Sequence, residues 1–308
     1  MCCNDRSMTG RVPIVPSFES DSEQIGLGVR FGNNVSIKAN RIEIDDNVIF
    51  QDDISIVCRG RFKIGHHSIV GRGTRVQCSN LTIGHWFYSC KGLEIGAGGC
   101  NSKEANVQIG NCVSIFETVL INPNSPVIIG DNCGIGREAQ IWTHGAWLDP
   151  LNGFPSDFGP VSIGSNVWLP ARSIMLPNSA IGDNCVIGIN SIVNKKIPSG
   201  SFAAGSPVRI IRANAYPVVL SPPEKTRIIR QIINDWRTQI DYKAPDLIAY
   251  VECFDIDKIR LEVADEETIF DCGKKTVQGA TSRYSEDLRD YLRRRGIKIY
   301  TDSFFNSL

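Results

Sequence analysis

The sequence lacks an excess of either charge, because 33 Lys and Arg residues balance 33 Asp and Glu residues in a chain of 308. A chain without net charge lacks the electrostatic footprint that is typical of nucleic-acid binding. It also lacks any apolar run that approaches the roughly 18 residues suggesting a transmembrane helix. We therefore expect no nucleic-acid partner and no membrane span.

The 11 cysteines are odd in number, are scattered along the chain and show no CxxC ligand pattern. This usage argues against a disulfide scaffold, favours a reducing compartment and gives no sign of a structural metal. The first residues lack the basic start and the apolar stretch of a secretory signal peptide. These features predict a cytoplasmic protein that holds no metal.

Composition divides the chain near residue 213. Residues 213–308 hold 31 of the 66 charged residues but only 3 of the 28 glycines. The proline-containing segment 213–223 is typical of a linker. We predict an N-terminal lead-in over residues 1–24, a repeat domain over 25–212 and a small C-terminal α+β domain of unknown role over 213–308.

A large apolar residue returns every six positions through most of residues 25–193. The longest unbroken series is Ile163, Leu169, Met175, Ile181, Ile187 and Val193. A small or β-branched residue stands four positions after most of these anchors, as at Cys185 and Ser191. The period fits neither an α-helix nor simple strand alternation. It suits short straight sides joined by turns, three of which close an 18-residue coil that stacks on the next about 4.8 Å away.

Departures from the 18-residue step show where the coils are interrupted. Gly, Asn and Asp at the corners, as in IGDN and IGSN, are expected to supply the turn conformations. From Ile129 to Ile163 the step is 34 residues, which leaves 16 residues to form an extruded loop. That loop lies within 142–160 and contains His144. The stretch 81–106 is too irregular for a register to be assigned.

The segments THGAW at 143–147 and VSIGSNVWLPARSIMLPNSAIGDNCVIGINSIVNKKIPSGSFAAGSPVRIIR at 161–212 resemble the hexapeptide-repeat acyltransferases. The similarity is to the galactoside and maltose O-acetyltransferase branch, which includes capsule and polysaccharide O-acetyltransferases. The resemblance implies a mainly β fold, a left-handed parallel β-helix with an extruded loop. It also implies a homotrimer whose acetyl-CoA and acceptor meet in clefts between neighbouring subunits.

His144 is the predicted catalytic residue. Acyl transfer to a hydroxyl needs a base that works near neutral pH, and imidazole meets that need. The resemblance implies that His144 takes the acceptor's proton and that the oxygen attacks the thioester directly, without an acyl-enzyme. The acceptor is expected to be a hydroxyl of a sugar or polysaccharide, with Trp142 and Trp147 as candidate substrate-binding residues.

The resemblance also implies a set of residues for the co-substrate acetyl-CoA. They are Trp168, Ala171, Ile189, Asn194, Lys195, Ala204, Gly205, Arg209 and Arg212. Among them the cations suit the CoA phosphates, because charge-assisted hydrogen bonds to phosphate are strong. Ile189 departs from the family pattern, since Gly-Ala-Gly-Ser becomes Gly-Ile-Asn-Ser and adds bulk beside the pantetheine path.

Three alternatives stay open at this point. One keeps the chemistry but changes the acceptor to a small antibiotic or an amino sugar. Another is a non-catalytic β-helical scaffold that binds carbohydrate, which the bulk at Ile189 suggests. The third is a metal-dependent hydratase built on His66, His67 and His85, although these are more simply exposed turn residues.

The C-terminal segment contains no catalytic constellation. Helical spacing of isoleucines predicts a helix over 222–242 that is capped by Ser221, and a second helix over 285–295 that is capped by Ser285. Strands are expected over 248–254, 257–263 and 297–300.

Overall fold

The computed structural model describes residues 16–96, 98, 100, 102–245 and 249–308. The chain forms two compact units that divide between Pro217 and Val218. Residues 1–15 of the predicted lead-in, parts of the stretch 81–106 and the start of the strand predicted over 248–254 lie outside the described residues. The roles assigned to the domains stay predictions.

The first unit is the predicted left-handed parallel β-helix of about nine turns. Short strands stack into three flat faces, so each face is a parallel sheet that takes one strand from every coil. Face 1 consists of Ser17–Glu19, Val35–Lys38, Ile54–Cys58, Arg75–Cys78, Glu94–Ile95, Leu120–Asn122, Gln140–Trp142, Ile174–Met175 and Ile192–Val193. Face 2 consists of Ser22–Ile25, Arg41–Ile44, Arg61–Ile64, Asn80–Ile83, Asn106–Ile109, Val127–Ile129, Val161–Ile163, Ala180–Ile181 and Lys196–Ile197.

Face 3 closes the triangle. It consists of Arg30–Phe31, Ile49–Phe50, Ile69–Val70, Tyr88–Ser89, Ser114–Ile115, Gly134–Ile135, Trp168–Leu169, Val186–Ile187 and Phe202–Ala204. A final strand, Arg209–Arg212, turns back and pairs antiparallel with the last of these. Strand pairing already begins at Ser17, which bonds in register with Ser36, so the described end of the predicted lead-in is part of the first coil.

The core of the prism is the six-residue series itself. Every member of the series from Ile163 to Val193 is at most 2% exposed, and the small residues that follow, Cys133 and Cys185 among them, are equally buried. Burial of this kind is worth about 1.5–3 kcal/mol for each large aliphatic side chain. The sequence period therefore reports directly on the residues that fill the interior.

The corner between faces 2 and 3 explains the recurring IGDN-type segments. A Cβ at Gly164 would lie 2.7 Å from the backbone nitrogen of Asp183 in the next coil. Two residues later, Asn166 adopts a φ of 58°, a left-handed conformation that Asn tolerates better than most residues. The expectation that the glycine supplies the turn conformation is wrong at Gly164. The glycine lets the coils approach, and the asparagine makes the turn.

Extra residues leave the prism at the corner between faces 1 and 2. The strand that ends at Ile109 pairs with the one that ends at Ile83, which settles the register of the stretch 81–106 and places its insertion after Ile95. Arg59 holds that insertion by donating to the carbonyl oxygen of Cys100 at 2.9 Å. The loop that contains His144 leaves the prism at the same corner.

The second unit is an α+β fold with its own core. Its elements are a helix Pro222–Lys243, an antiparallel meander of Ala249–Asp255, Lys258–Val263, Glu266–Asp271 and Thr276–Gly279, and a helix Arg283–Arg294. Among the described residues Trp236, Phe270 and Leu288 are fully buried between the helices and the sheet.

Two predictions for this unit are corrected. The first helix is capped by Ser221 as predicted, with the Ser221 N–H donating to Glu224 Oε2 at 2.8 Å. The second helix is capped by Ser282 rather than Ser285, because the Ser285 N–H donates to Ser282 Oγ at 3.1 Å. The strand predicted over 297–300 does not form, since the buried Arg289 guanidinium donates to a carbonyl of this segment at 3.2 Å.

Three histidines of neighbouring coils contact one another at the corner between faces 2 and 3. The rings of His66 and His85 stack with centroids 4.0 Å apart, and His66 Nδ1 lies 3.0 Å from His67 Nδ1. His67 stacks on Trp86 at 4.6 Å and is only 9% exposed. The expectation of exposed turn residues is therefore wrong for His67, which the neighbouring coil covers.

This cluster predicts a pH-dependent stability. Burial, followed by the charges of His85 and His67, holds the pKa of His66 below its usual 6.5. The unfolded chain therefore binds the proton more readily, so this contribution to stability is present at neutral pH and is lost as the pH falls below about 6.5. We expect the drop in unfolding free energy between about pH 7.5 and about pH 5.5 to be smaller in a His66→Gln variant. His144→Gln, outside this cluster, is the control variant. Equal drops in the wild type and in His66→Gln would contradict the attribution of this pH dependence to His66.

Candidate active site

The extruded loop is anchored to the prism by Thr143, which is fully buried. Its hydroxyl donates to the Asn122 carbonyl at 2.9 Å and accepts from the backbone nitrogens of Asn124 at 2.6 Å and Ser125 at 3.1 Å. Where the loop returns, the Gly159 N–H donates to the Thr143 carbonyl at 2.9 Å. One side chain thus fixes the point at which the loop leaves face 1.

His144 begins a short hairpin immediately after this anchor. The strand His144–Ala146 pairs antiparallel with Ser156–Phe158, so that His144 stands opposite Phe158. The two rings stack with centroids 5.8 Å apart, and the Trp142 indole meets the imidazole edge-on at 6.5 Å. The imidazole is held between two aromatic rings, an arrangement that limits its rotation.

The two nitrogens of His144 differ in environment. Nδ1 is buried and has no hydrogen-bond partner among the described residues, while the side chain as a whole is half-buried. A general base must present an unprotonated nitrogen toward a reacting hydroxyl. The geometry therefore leaves Nε2 as the nitrogen that can face a substrate.

His144 lies in a cavity of about 530 Å³ beside face 1. The residues that line it are Gln140, Trp142, His144, Gly145, Asp157, Ile174, Leu176, Pro177, Asn178 and Asn194. Three predicted site residues therefore meet here: His144, Trp142 and Asn194. Asp157 is the only charged residue in this lining, so within one chain the cavity contains a carboxylate and no cation.

The other predicted acetyl-CoA residues lie elsewhere on the prism. Trp168 and Ala204 belong to face 3, and Ala171 and Ile189 lie at the corner between faces 3 and 1. A hydrogen bond of 3.0 Å from Asn190 N to Ala171 O joins the two corner segments. These residues form one patch, but it does not include His144.

The remaining predicted residues are exposed. Gly205 follows the last coil of face 3, and its N–H donates to Ser191 Oγ at 3.0 Å. Arg209 and Arg212 lie on the antiparallel end strand, with the Arg212 guanidinium 5.6 Å from the centroid of the Tyr216 ring. Lys195 stands beside Asn194 at the corner between faces 1 and 2.

Trp147 lies at the tip of the hairpin, is 95% exposed and does not line the cavity. Its proposed role in substrate binding stays a prediction, as do the roles of the other site residues.

Two contacts of Trp168 were not anticipated from the sequence. A Cβ at Gly134, in the preceding coil, would lie 2.6 Å from the indole, so this glycine makes the space that the ring occupies. Phe116 meets Trp168 edge-on with centroids 6.1 Å apart. Gly134 could have been found from the sequence, because it pairs in register with Trp168 one coil further on. The contact between Phe116 and Trp168 could only be found from the structure.

Most of the cavity lining was also missed. Gln140 accepts from the Trp142 indole N–H at 2.9 Å, and Asn178 donates to the Phe158 carbonyl at 3.2 Å. Gln140 and Trp142 share the outward side of one strand, a pattern that period-two alternation could have revealed. Asp157 and Asn178 come to the site through the hairpin and the following coil, which the sequence does not indicate.

No group of three or more His, Cys, Asp or Glu side chains is arranged to hold a metal within the part of the chain that the structure describes. Within the same residues, no helix combines the length and the apolar character needed to cross a bilayer.

Several known proteins are similar to this chain. Residues 126–145 and 160–195 match the family model described as hexapeptide repeat of succinyl-transferase. Galactoside O-acetyltransferase of Escherichia coli K12 is 37% identical over 115 residues, which are 36% of this chain and 56% of that protein. A Saccharomyces cerevisiae protein that carries an acetyltransferase name is 35% identical over 111 residues, 35% of this chain and 56% of that protein.

A solved structure is also similar. It is a hexapeptide-repeat-containing acetyltransferase of Vibrio cholerae complexed with acetyl coenzyme A, with 23% identity and a TM-score of 0.34, covering 50% of this chain and 72% of that one. This chain spans about half the length of the two relatives above. The predicted resemblance to the hexapeptide-repeat acetyltransferase family is confirmed by the sequence matches.

The loop anchor predicts a measurable loss of stability on removal of a single hydroxyl. Thr143→Val keeps the shape of the side chain but leaves the backbone N–H groups of Asn124 and Ser125 without their partner, which costs about 1–3 kcal/mol. The Asn122 backbone carbonyl loses one of its two hydrogen bonds and keeps the one from the Thr143 backbone N–H. We expect a lower unfolding free energy and faster proteolysis within 144–159. Thr82→Val, on the outward side of face 2, is the matched control. A Thr143→Val variant as stable and as protease-resistant as that control would refute the anchoring role.

Proposed function

We propose that this protein is an acetyl-CoA-dependent O-acetyltransferase that transfers an acetyl group to a hydroxyl of a sugar or polysaccharide. The observation that carries the proposal is the imidazole of His144, which lies on the extruded loop and lines a cavity, with its Nδ1 buried. The 37% identity over 115 residues to a protein named galactoside O-acetyltransferase supports the same chemistry.

In the proposed reaction His144 acts as general base. Nε2 takes the proton of the acceptor hydroxyl while the oxygen attacks the thioester carbonyl of acetyl-CoA. The tetrahedral intermediate collapses, the C–S bond breaks, and the CoA thiolate receives the proton from the imidazolium. The acetyl ester and CoA leave, and the imidazole is neutral again. The proposed transfer is direct and forms no acyl-enzyme. The described cavity lining contains no Ser or Cys that could carry the acetyl group.

The division of the predicted site between faces supports a homotrimer. His144 lies at the corner between faces 1 and 2, while the patch of Trp168, Ala171 and Ile189 lies on face 3 and at its other corner. One straight prism cannot bring these positions together, but two prisms side by side can. We infer that the loop of one subunit faces the Trp168 patch of the next, with acetyl-CoA between them.

The cavity suits an uncharged sugar ring. Trp142 provides an aromatic surface, Leu176 and Pro177 are apolar, and the amides of Asn178 and Asn194 can bond hydroxyls. Aromatic rings pack well against the apolar face of a sugar, and amides both donate and accept hydrogen bonds. The absence of Lys and Arg from this described lining disfavours acidic sugars, whose carboxylate would meet Asp157.

Loss of the base should nearly abolish turnover. We expect His144→Gln to reduce kcat about 10²–10⁴-fold, since positioned proton transfer contributes that much. CoA release with a glycoside panel measures the rate, and calorimetry with CoA measures whether the co-substrate still binds. His85→Gln, outside the cavity, is the control. A His144→Gln enzyme with full kcat would exclude the proposed mechanism, and a wild type that fails to bind CoA would favour the scaffold alternative.

The charge of the cavity predicts acceptor preference. Methyl glycosides of one hexose, in neutral, 2-amino and uronic acid forms, separate the cases. We expect the acid form to have a kcat/KM at least about tenfold below the neutral form, equivalent to about 1.4 kcal/mol, and Asp157→Asn to narrow that gap. Asp21→Asn, in the first coil, should leave it unchanged.

The amino form tests the amine-acceptor alternative, which the Asp157 carboxylate would favour. An N-acetylated product that dominates over the ester would replace the sugar hydroxyl with an amino sugar as the acceptor. Preference for the uronic acid would contradict the charge argument.

A further inference from the structure

Two buried polar atoms near the loop lack hydrogen-bond partners among the described residues, and they are complementary. One is His144 Nδ1 and the other is the amide oxygen Asn122 Oδ1. Asn122 is only 2% exposed. The other buried side-chain atoms of this kind belong to Glu43, Arg61 and Arg260, far along the chain from the loop. An unpaired buried polar group costs about 1–3 kcal/mol, so each native example calls for an explanation.

Asn122 lies directly beneath the start of the loop. It stands in register with Trp142 in the adjacent coil of face 1, so their side chains project from the same side of the sheet. Its backbone carbonyl accepts a hydrogen bond from the Thr143 hydroxyl at 2.9 Å. Thr143 is the residue that immediately precedes His144. Asn122 therefore contacts both residues that precede His144, pairing in register with Trp142 and bonding the Thr143 hydroxyl.

The chemistry of the two atoms matches. If Nε2 is to accept a proton from a substrate, the neutral imidazole must carry its own hydrogen on Nδ1. That N–H then needs an acceptor, and an amide oxygen can only accept. Asn122, which has a buried acceptor without a donor, is thus linked through Thr143 to His144, which has a buried nitrogen without an acceptor. The Asn122 oxygen meets the requirement without introducing a charge.

We propose that Asn122 is the positioning residue for His144. Its amide oxygen accepts the Nδ1 hydrogen, directly or through one bridging water, and so holds the ring in the tautomer that leaves Nε2 free. Buried waters of this kind bridge otherwise unpaired polar groups. The inference rests on the proposed function for its catalytic meaning, but the tautomer itself can be observed without any substrate.

Nitrogen NMR of the full chain with labelled histidine tests the proposal. We expect the neutral His144 ring of the wild type to carry its hydrogen on Nδ1. Asn122→Leu removes the acceptor and should shift the population toward the Nε2 hydrogen. Asn122→Asp keeps an acceptor and should retain the Nδ1 hydrogen. Asn178→Leu, which also changes an amide beside the cavity, should leave the tautomer as in wild type.

Kinetics provide the second readout. Asn122→Leu should lower kcat about 10–100-fold with little change in KM, because the ring is no longer oriented while substrate contacts remain. Asn122→Asp should recover most of kcat and move the acid limb of the kcat–pH profile to higher pH, because a carboxylate favours the imidazolium. A merely structural role would produce neither the shift nor the recovery.

The outcomes separate this inference from the proposed function. An unchanged tautomer in folded Asn122→Leu, or an unshifted pH profile in Asn122→Asp, overturns the role of Asn122. If Asn122→Leu does not fold, Asn122→Asp still decides through its pH profile and the titration of the His144 ring. If the tautomer responds as expected but no acceptor is acetylated by the wild type, the positioning contact stands and the acetyltransferase proposal fails.

Discussion

Register between stacked coils is the constraint on which the whole first unit depends. Each short strand bonds in register with the strand one coil away, and at corners such as Gly164 the backbones approach so closely that no Cβ fits between them. A coil cannot lengthen inside such a stack without breaking the hydrogen bonds on both sides of it. Extra residues must therefore leave the prism at a corner, where a turn already interrupts the strands. The insertion after Ile95 and the hairpin that holds His144 both leave at the corner between faces 1 and 2. The site is a consequence of this rule, because the loop that contains His144 can leave the prism only at a corner.

The same geometry separates the chemical groups. Residues that follow one another by six positions appear on successive faces, so a motif that is continuous in sequence is distributed around the prism. Trp168 and His144 are 24 positions apart, yet they project from different sides of the triangle. A single chain provides an imidazole in a cavity lined by amides and one carboxylate, and on another side an exposed indole that lies over Gly134. The proposed association of prisms would bring the His144 cavity of one chain to the Trp168 indole of another. It would also cover the exposed apolar residues around Trp147.

Much of the fold could be predicted from the sequence because the interior repeats. One large residue every six positions fills each side, so Ile163, Leu169 and Met175 are recognisable without knowledge of their neighbours in space, and the 34-residue step to Ile163 locates the loop. What could not be predicted depends on contacts between coils. The burial of His67 by Trp86, the space that Gly134 provides for Trp168 and the lining of the cavity by Asp157 and Asn178 all come from residues brought together by stacking. The cap at Ser282 was missed for a different reason, since two serines three residues apart offer equally good local signals.

The polar balance of the loop distinguishes it from the rest of the prism. The Thr143 hydroxyl is fully paired, because it bonds one carbonyl and two backbone N–H groups. The two residues that adjoin this anchor, Asn122 and His144, each have one buried atom without a partner among the described residues. A scaffold without a reactive role would gain stability by replacing either residue with an apolar one, because an unpaired buried polar group only costs free energy. A base has the opposite requirement, since it must keep a lone pair available at one nitrogen and a hydrogen held at the other. A rigid, fully paired anchor beside an imidazole whose Nδ1 needs an acceptor is therefore what a positioned base demands, and packing alone gives no reason for it.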